Sequence, residues 1–295
     1  MNNMANRDII LLIEGGAMSG VFGGGVLKAF NKDSIHRRIH SIYSVSAGAG
    51  DAAYFLSRNA TEGVEVYTKE LISKRSKFIN LNILELVSNF WKLLFLRKNL
   101  HLMDLEVLKE IERHKKKLNY NNIKNSSINF YVTVFDNKHK KIKYLDGKKD
   151  TLEAINLSAF LAPYIYLNTK SKDLYDGGMV PSDHFLQIAK NNKDKTIIWI
   201  MNEKRNIKSQ IKDLPFQVID LYAKSMYFGF WYLVHHLIHF FDEPSIETVE
   251  KNSNVILIHP DVNVRKVTKN RKEIVALYYH GLKKGKEILK VLDIK

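Results

Sequence analysis

Short apolar runs bounded by turn residues alternate along the chain with longer segments of helical period. The apolar runs predict strands at residues 9–13, 39–45, 128–135, 141–145, 174–176, 196–201 and 255–258. The periodic segments predict helices at residues 21–30, 47–58, 63–72, 81–96, 102–113, 182–190, 216–241 and 271–292. Strands that alternate with helices are typical of a mostly parallel sheet. The pattern therefore predicts an α/β fold with helices on both faces of the sheet.

One long segment, residues 225–241, has no Asp, Glu, Lys or Arg but contains three histidines. A membrane-spanning helix needs about 20 mainly apolar residues, so we predict a buried or interfacial helix here. The start of the chain is polar, and the apolar run that follows it is shorter than the core of a signal peptide. We expect no Sec export and a cytoplasmic protein whose contact with a membrane is peripheral.

Length and composition are those of a globular protein. The chain has 295 residues, of which 45% are hydrophobic and 26% charged, so it can bury a sizeable core. No linker rich in Pro, Gly or Ser divides it. We predict a single domain over residues 1–295, with a core at about 8–202 and a C-terminal extension of helices and a strand at about 203–295. The lack of cysteine excludes disulfide scaffolds, cysteine-ligated metals and thiol catalysis.

The charge balance is strongly basic. Lys and Arg number 46 against 31 acidic residues, a formal charge of +15, which favours anionic partners such as phosphate groups, nucleic acid or an acidic lipid surface. No nucleic-acid recognition module accompanies the charge, so we expect no nucleic-acid partner. A general bias of the composition toward lysine is the alternative to a binding surface.

A glycine-rich loop follows the first predicted strand and leads into a helix. It contains Gly15, Gly16 and Ala17. Such a loop presents backbone N–H groups at a helix N-terminus, where an anion or oxyanion can approach closely. A P-loop would end in Gly-Lys-Ser/Thr, and a dinucleotide fingerprint from Gly23 would need glycine at Lys28, so neither fits. The alternative is that the glycines only let the helix pack tightly on the sheet.

Ser46 lies at the predicted turn between the second strand and the next helix. The sequence Ser44-Val-Ser46-Ala-Gly48 resembles the nucleophile elbow G-x-S-x-G, in which small neighbours let the serine occupy a strained turn with its hydroxyl exposed. Ser44 stands where that pattern has its first glycine. Ser46 is therefore a candidate nucleophile.

Asp176 ends a predicted strand and precedes two glycines, which alone indicates an ordinary turn. Together with the loop and Ser46 it completes the set of oxyanion donors, nucleophile and base that a serine hydrolase needs. A carboxylate with an ordinary pKa of ~3.9 is a poor base, so Asp176 must be held within hydrogen-bond range and be partly desolvated. His184 is an alternative base, but we favour its placement on the following helix without a catalytic role.

These motifs resemble those of the patatin-like phospholipase family, which uses a Ser-Asp dyad without histidine. Residues 129–145 resemble the hairpin before the family's aspartate, residues 154–163 its A-S-x-A-x-P segment, and residues 255–260 and 278–281 its bacterial C-terminal region. The resemblance spans nearly the whole chain and implies a three-layer α/β/α fold with a mostly parallel central sheet. It also implies hydrolysis of a phospholipid or lysophospholipid acyl ester through an acyl-enzyme, without a metal or organic cofactor.

Carried over residue by residue, the resemblance makes Ser46 the nucleophile and Asp176 the general base. The backbone N–H groups around Gly15, Gly16 and Ala17 match the family's oxyanion hole.

Three positions depart from the family pattern. Ala17 replaces the third loop glycine, Ser19 replaces a basic residue, and Ser44 replaces the first elbow glycine. The loss of the basic residue removes a positive charge near the developing anion. The alternative function is therefore a catalytically weakened protein of this fold that binds lipid or regulates a partner.

Two apolar segments, residues 81–98 and 216–241, are candidates for contact with lipid. Each combines an apolar face with tryptophan and flanking Lys or Arg, which suits an acyl-chain cleft or an anionic membrane surface. Trp91 and Trp231 are the candidate lipid contacts, and core packing is the alternative for both helices. His235 and His239 have a spacing that can bind a metal, but no third ligand is evident, so we expect none.

Overall fold

The computed structural model describes residues 8–73, 76–79, 103–169, 171, 173–180, 183–204, 214–239, 246–262, 266 and 268–293. Its strands are β1 (Ile9–Ile13), β2 (Ile39–Val45), β3 (Met103–Asp104), β4 (Asn129–Asp136), β5 (Lys141–Asp146), β6 (Ile165–Tyr166), β7 (Leu174–Asp176), β8 (Thr196–Ile200) and β9 (Val255–Ile258). Its α-helices are α1 (Val21–Phe30), α2 (Asp33–Arg38), α3 (Ala47–Leu56), α4 (Ala60–Glu65), α5 (Leu105–Glu110), α6 (Tyr120–Asn125), α7 (Thr151–Ser158), α8 (His184–Asn191), α9 (Leu214–Phe228), α10 (Phe230–His239), α11 (Ile246–Glu250) and α12 (Arg271–Val291). Short 3₁₀-helical or π-helical segments lie at Ala17–Gly20, Val66–Leu71, Ile111–Lys115 and Gly177–Met179.

The central sheet has seven strands in the order β5-β4-β2-β1-β8-β9, with β7 paired to β4. The pairs β1–β2, β1–β8, β2–β4 and β8–β9 are parallel, whereas β5 and β7 run antiparallel to β4. The prediction of a mostly parallel sheet is confirmed, and all seven predicted strands lie within one residue of their predicted bounds.

The side chains of β1 alternate between two hydrophobic clusters. Ile9, Leu11 and Ile13 belong to one cluster, while Ile10 and Leu12 belong to the other. The first cluster includes residues of α1, α3 and α12, and the second includes residues of α8 and α11. Because successive side chains of a strand point to opposite faces, helices cover both faces of the sheet, which gives the three-layer α/β/α architecture.

The prediction of one continuous helix over residues 216–241 is wrong, because the structure has two helices, α9 and α10. Gly229 between them adopts φ +91°, a conformation that L side chains rarely adopt and that commonly ends a helix. The predicted helix at residues 81–96, with Trp91, lies outside the described residues. Among the residues that are described, no helix is long and apolar enough to cross a bilayer.

Candidate active site

Ser46 occupies a strained turn between β2 and α3. Its backbone has φ 55° and ψ −129°, a sparsely populated conformation that costs about 1–3 kcal/mol for a residue with a side chain. Gly48 permits this turn, since a Cβ there would lie 2.5 Å from the Glu14 carbonyl oxygen. The helix therefore starts in direct contact with the end of β1, and Ser46 is held where strand and helix meet.

Ser44 takes the place of the usual first elbow glycine without disturbing the strand. Its side chain is fully buried, and its Oγ donates to the Tyr131 carbonyl oxygen of the neighbouring strand at 3.5 Å. The hydroxyl therefore faces β4, whereas Ser46 lies at the wall of a cavity.

The Ser46 backbone is fixed by a residue that sequence reasoning left without a role. Ser158, at the end of α7, accepts a hydrogen bond from the Ser46 N–H at 2.8 Å and donates from the same Oγ to the Thr133 carbonyl oxygen at 2.6 Å. This chain of bonds links the serine turn to α7 and β4. The segment containing Ser158 had been recognised in the sequence, but nothing in it indicated a partner 112 positions away.

Asp176 reaches Ser46 from the end of β7. Its carboxyl group is buried, accepts a hydrogen bond from the Gly178 N–H at 2.8 Å, and lies close enough to the Ser46 side chain for that hydroxyl to lower its pKa. Gly177 allows this approach, because a Cβ there would lie 2.8 Å from the Thr133 side chain and 2.9 Å from its carbonyl oxygen. Ser46 and Asp176, 130 residues apart in the sequence, are thus neighbours in the fold.

Burial is the main influence on the ionisation of Asp176. It raises the pKa of the carboxyl group from 3.8 to about 6, while the hydrogen bonds from Gly178 and Ser46 and the charges of Lys224 and Lys266 oppose the rise. A carboxylate with a raised pKa is a stronger base than an exposed one. The group is therefore ionised at neutral pH and also able to accept a proton.

The glycine-rich loop runs directly against the serine. A Cβ on Gly15 would lie 2.7 Å from Ser46 Cβ and 3.4 Å from Ser46 Oγ. Within the described part of the chain, the backbone N–H groups of Gly15, Gly16 and Ala17 donate to no other residue, whereas those of Met18 and Ser19 do. Gly16 has φ +153° and Ala17 φ +49°. The loop thus offers three unused donors beside the serine.

The departures at Ala17 and Ser19 have different physical consequences. Alanine in the left-handed region costs about 1 kcal/mol or more relative to glycine, so Ala17 stores some strain. Ser19 closes the loop, since both its Oγ and its N–H donate to the Gly16 carbonyl oxygen, at 2.7 and 3.0 Å. The loop shape is therefore kept, although Ser19 supplies no positive charge.

Two lysines provide positive charge near Asp176 from the C-terminal part of the chain. Lys224 of α9 is buried and forms an ion pair with Asp220 at 2.8 Å. The Lys266 carbonyl oxygen accepts a hydrogen bond from the Met18 N–H at 3.0 Å, so this residue is tied to the glycine-rich loop. Both lysines favour the ionised form of Asp176, although each is also paired with a carboxylate, Lys224 with Asp220 and Lys266 with Glu203 at 3.0 Å.

Two residues support the loop from the side of β8. Asn202 donates from Nδ2 to the Glu14 carbonyl oxygen at 2.6 Å and accepts from the Gly23 N–H at 2.8 Å. Trp199 Nε1 donates to Glu14 Oε1 at 2.8 Å. These contacts join β8 and the residues after it to both ends of the loop, and no sequence pattern indicated them.

His184 lies at the start of α8, against aromatic rings. Its ring centroid is 4.4 Å from that of Phe185 and 6.4 Å from that of Tyr144. The interactions that affect the Asp176 carboxyl do not include this histidine. The contacts of His184 are those of a packed side chain.

A partly open cavity begins at Ser46 and continues between α3, the π-helical segment Val66–Leu71 and α5. Most of its wall is apolar, with contributions from Met18, Val66, Leu71, Phe78, Met103, Leu105, Leu108, Ile155 and Ile165. Among the described residues, no cluster of three or more His, Asp or Glu side chains could hold a metal ion. Shape and lining suit an acyl chain whose carbonyl carbon is placed at Ser46.

The aromatic helices α9 and α10 cover the Asp176 loop. Tyr232 donates from its hydroxyl to the Met179 carbonyl oxygen at 2.5 Å, and Phe228 packs edge-on against Tyr175 with centroids 5.0 Å apart. Trp231 stacks on Phe135 at 5.7 Å, so its ring packs against the core.

Comparison with known proteins identifies the family. The family model "Patatin-like phospholipase" matches residues 11–189, which is more than half of the chain. The chain therefore belongs to the patatin-like phospholipase family, as its motifs had indicated, and the family implies a lipid acyl hydrolase. Comparison with curated proteins gives no match. The crystal structure of VipD from Legionella pneumophila is similar to this chain, with a TM-score of 0.48, 9% identity, and coverage of 98% of this chain and 68% of that one.

Proposed function

We propose that this protein hydrolyses acyl esters of phospholipids or lysophospholipids with Ser46 and Asp176 as a catalytic dyad. The observation that carries the proposal is the proximity of the Ser46 side chain to the buried Asp176 carboxyl group, whose pKa the hydroxyl lowers, beside an apolar cavity. Family membership supplies the lipid class of the substrate. The test is release of fatty acid from phosphatidylglycerol vesicles and from a lysophospholipid. If the purified protein releases none from either, the weakened lipid-binding protein becomes the better account.

In the acylation step, Asp176 takes the proton of the Ser46 hydroxyl as Oγ attacks the ester carbonyl carbon. The carbonyl oxygen becomes an oxyanion, which the backbone N–H groups around Gly15, Gly16 and Ala17 stabilise. As the tetrahedral intermediate collapses, the bond to the alcohol oxygen breaks and the leaving alcohol takes the proton from Asp176. The acyl group is then bound to Ser46, with its chain in the cavity.

In the deacylation step, water replaces the alcohol. Asp176 takes a proton from the water molecule as the water oxygen attacks the acyl carbon, and the same N–H groups stabilise the second oxyanion. Collapse breaks the bond to Ser46 Oγ, which regains the proton from Asp176. Fatty acid leaves and the dyad returns to its starting state.

We expect activity to fall in acid because the base must be ionised. The pKa of Asp176 is raised to about 6, so the carboxyl group is protonated, and inactive as a base, below that pH. For a neutral ester, kcat/KM should rise through about pH 6 and level off above it, falling about tenfold per pH unit well below the pKa. A profile that stays flat down to pH 4 would contradict a role for Asp176 as the base.

We also propose that the exposed face of α10 contacts an anionic membrane. Phe230, Leu237 and Ile238 are 75%, 63% and 68% exposed, and with Val234 they lie on one side of the helix. Trp231 and Tyr232 lie on the packed side. These exposed side chains, and not the ring of Trp231, are therefore the groups available for insertion.

A basic hairpin contacts α10. Lys138 and Lys140 in the turn between β4 and β5, and Lys141 and Lys143 in β5, are exposed, and Lys140 Nζ lies 4.1 Å from the Trp231 ring centroid. Each lysine near an anionic surface contributes about 1 kcal/mol, within a Debye length of about 8 Å at physiological salt. Apolar insertion beside positive charge favours an anionic lipid surface over a neutral one.

We expect Ile238→Glu to weaken sedimentation with phosphatidylglycerol vesicles by about tenfold or more, since burial of one such side chain contributes about 1.5–3 kcal/mol. Val291→Glu is the matched control, because Val291 is 74% exposed on α12. Wild-type binding should also weaken in high salt and with neutral vesicles. Equal effects of the two variants would exclude α10 as the membrane contact.

A further inference from the structure

Gly50 has neither a conformational nor a packing reason to be glycine. It lies inside α3, where glycine is less favourable than alanine, and its φ is not positive. A Cβ at this position would meet no atom within 4 Å. Gly48 in the same helix is tightly packed, and Gly229, the other glycine in open surroundings, has the positive φ that glycine accommodates. Neither explanation applies to Gly50.

The empty space beside Gly50 belongs to the cavity that begins at Ser46. Gly50 lines this cavity together with Ala47 and Tyr54. It follows Ser46 by four residues, so the two positions share one face of the helix. A side chain at position 50 would extend into the space that an acyl chain on Ser46 must pass.

Four polar side chains also line the cavity: Asp51, Tyr54, Tyr67 and Glu112. They already have partners, since Tyr54 donates to the Lys116 carbonyl oxygen at 2.5 Å, Glu112 accepts from Asn156 Nδ2 at 3.3 Å, and Asp51 interacts with Tyr67. Burial raises the pKa of Glu112 to about 8. An apolar chain gains less free energy from contact with these polar groups than from the apolar part of the wall.

The apolar part of the cavity therefore has a limited length. Tyr54 follows Ser46 by eight residues, which corresponds to about 12 Å along the helix. This distance suits a medium-chain acyl group, whereas a long chain would have to pass the polar groups or leave the cavity.

We propose that Gly50 determines acyl-chain length by keeping the cavity open for a straight, medium-length chain that ends near Glu112. The inference rests on the proposed function, because it takes Ser46 as the point where the acyl carbonyl is held. It goes further by naming the acyl group and the residue that selects it.

The test compares p-nitrophenyl acetate, octanoate and palmitate as substrates for the wild type, Gly50→Ala and Gly50→Leu. The wild type should prefer octanoate. Gly50→Leu should lower kcat/KM for octanoate about tenfold or more while leaving acetate within about threefold, since loss of room for two methylenes has about this effect. Gly50→Ala should have a smaller effect in the same direction. A melting temperature no lower than that of the wild type shows that the helix tolerates the change.

A binding experiment separates failure of the inference from failure of the proposed function. Octanoate is titrated calorimetrically into Ser46→Ala protein and into the same protein carrying Gly50→Leu, and we expect at least a tenfold loss of affinity. If the wild type is active and Gly50→Leu has the same chain-length profile as the wild type, the inference alone is overturned. If the wild type is inactive but octanoate binding depends on Gly50, hydrolysis is overturned and the role of Gly50 is supported. No turnover and no binding would overturn both.

Discussion

Replacement of Ser46 by alanine should lower kcat for ester hydrolysis by about 10⁴-fold or more, because removal of an activated serine nucleophile costs up to about 10⁶-fold. Only the hydroxyl is lost. The backbone bond from the Ser46 N–H to Ser158 and the contact with Gly15 do not depend on it. The variant should therefore keep its circular dichroism and its melting temperature, and the measurement is turnover of a p-nitrophenyl ester.

Ser44 provides the matched control for this variant. It lies two residues earlier, carries the same hydroxyl, and is fully buried toward β4. Ser44→Ala and Ser44→Gly should both retain activity, the second because glycine is the residue that elbows of this type usually have. If Ser44→Ala abolished turnover while Ser46→Ala did not, the nucleophile would be Ser44 and not Ser46.

Replacement of Asp176 by asparagine should lower kcat by about 10²-fold to 10⁴-fold, the usual range for loss of a general base. Asparagine has the same shape as aspartate and keeps one side-chain oxygen, so the hydrogen bond donated by the Gly178 N–H is retained. What is lost is the ability to take the Ser46 proton. Turnover is measured at pH 8, where the wild-type carboxylate is ionised.

Two controls define the role of Asp176. Asp173→Asn makes the same change at an exposed position of the same segment and should leave activity unchanged. His184→Ala should also matter little, because that ring packs against Tyr144 and Phe185. If His184→Ala were the damaging change, the protein would be a hydrolase with a histidine base and this mechanism would fail.

The strands and the serine turn could be predicted from the sequence because their signals are local. β1 and β2 are apolar runs followed by small residues, and Ser46 lies inside a five-residue pattern. The helices α2, α6, α7 and α11 were not predicted, because segments of five to eight residues are too short for a helical period to be recognised. The break at Gly229 was missed because the apolar pattern continues across it.

Contacts between distant parts of the chain could not be predicted. Ser158 and Asn202 support Ser46 and the glycine-rich loop through bonds over more than a hundred residues. The lysines near Asp176 are a second case, since the sequence showed only that Ser19 lacks the usual charge. Exposure is a third case, because the sequence could not show that Phe230, beside the predicted lipid contact Trp231, is 75% exposed.

The most direct test of the central claim is labelling with a fluorophosphonate, in which the activated serine Oγ displaces fluoride from phosphorus. Tryptic cleavage should place the adduct on the peptide of residues 39–58, which also contains Ser41, Ser44 and Ser57, so fragment ions must identify the modified serine. We predict one adduct per chain, on Ser46, formed rapidly in the wild type and slowly in Asp176→Asn. An unlabelled wild-type protein, or an adduct on another serine, would contradict the account.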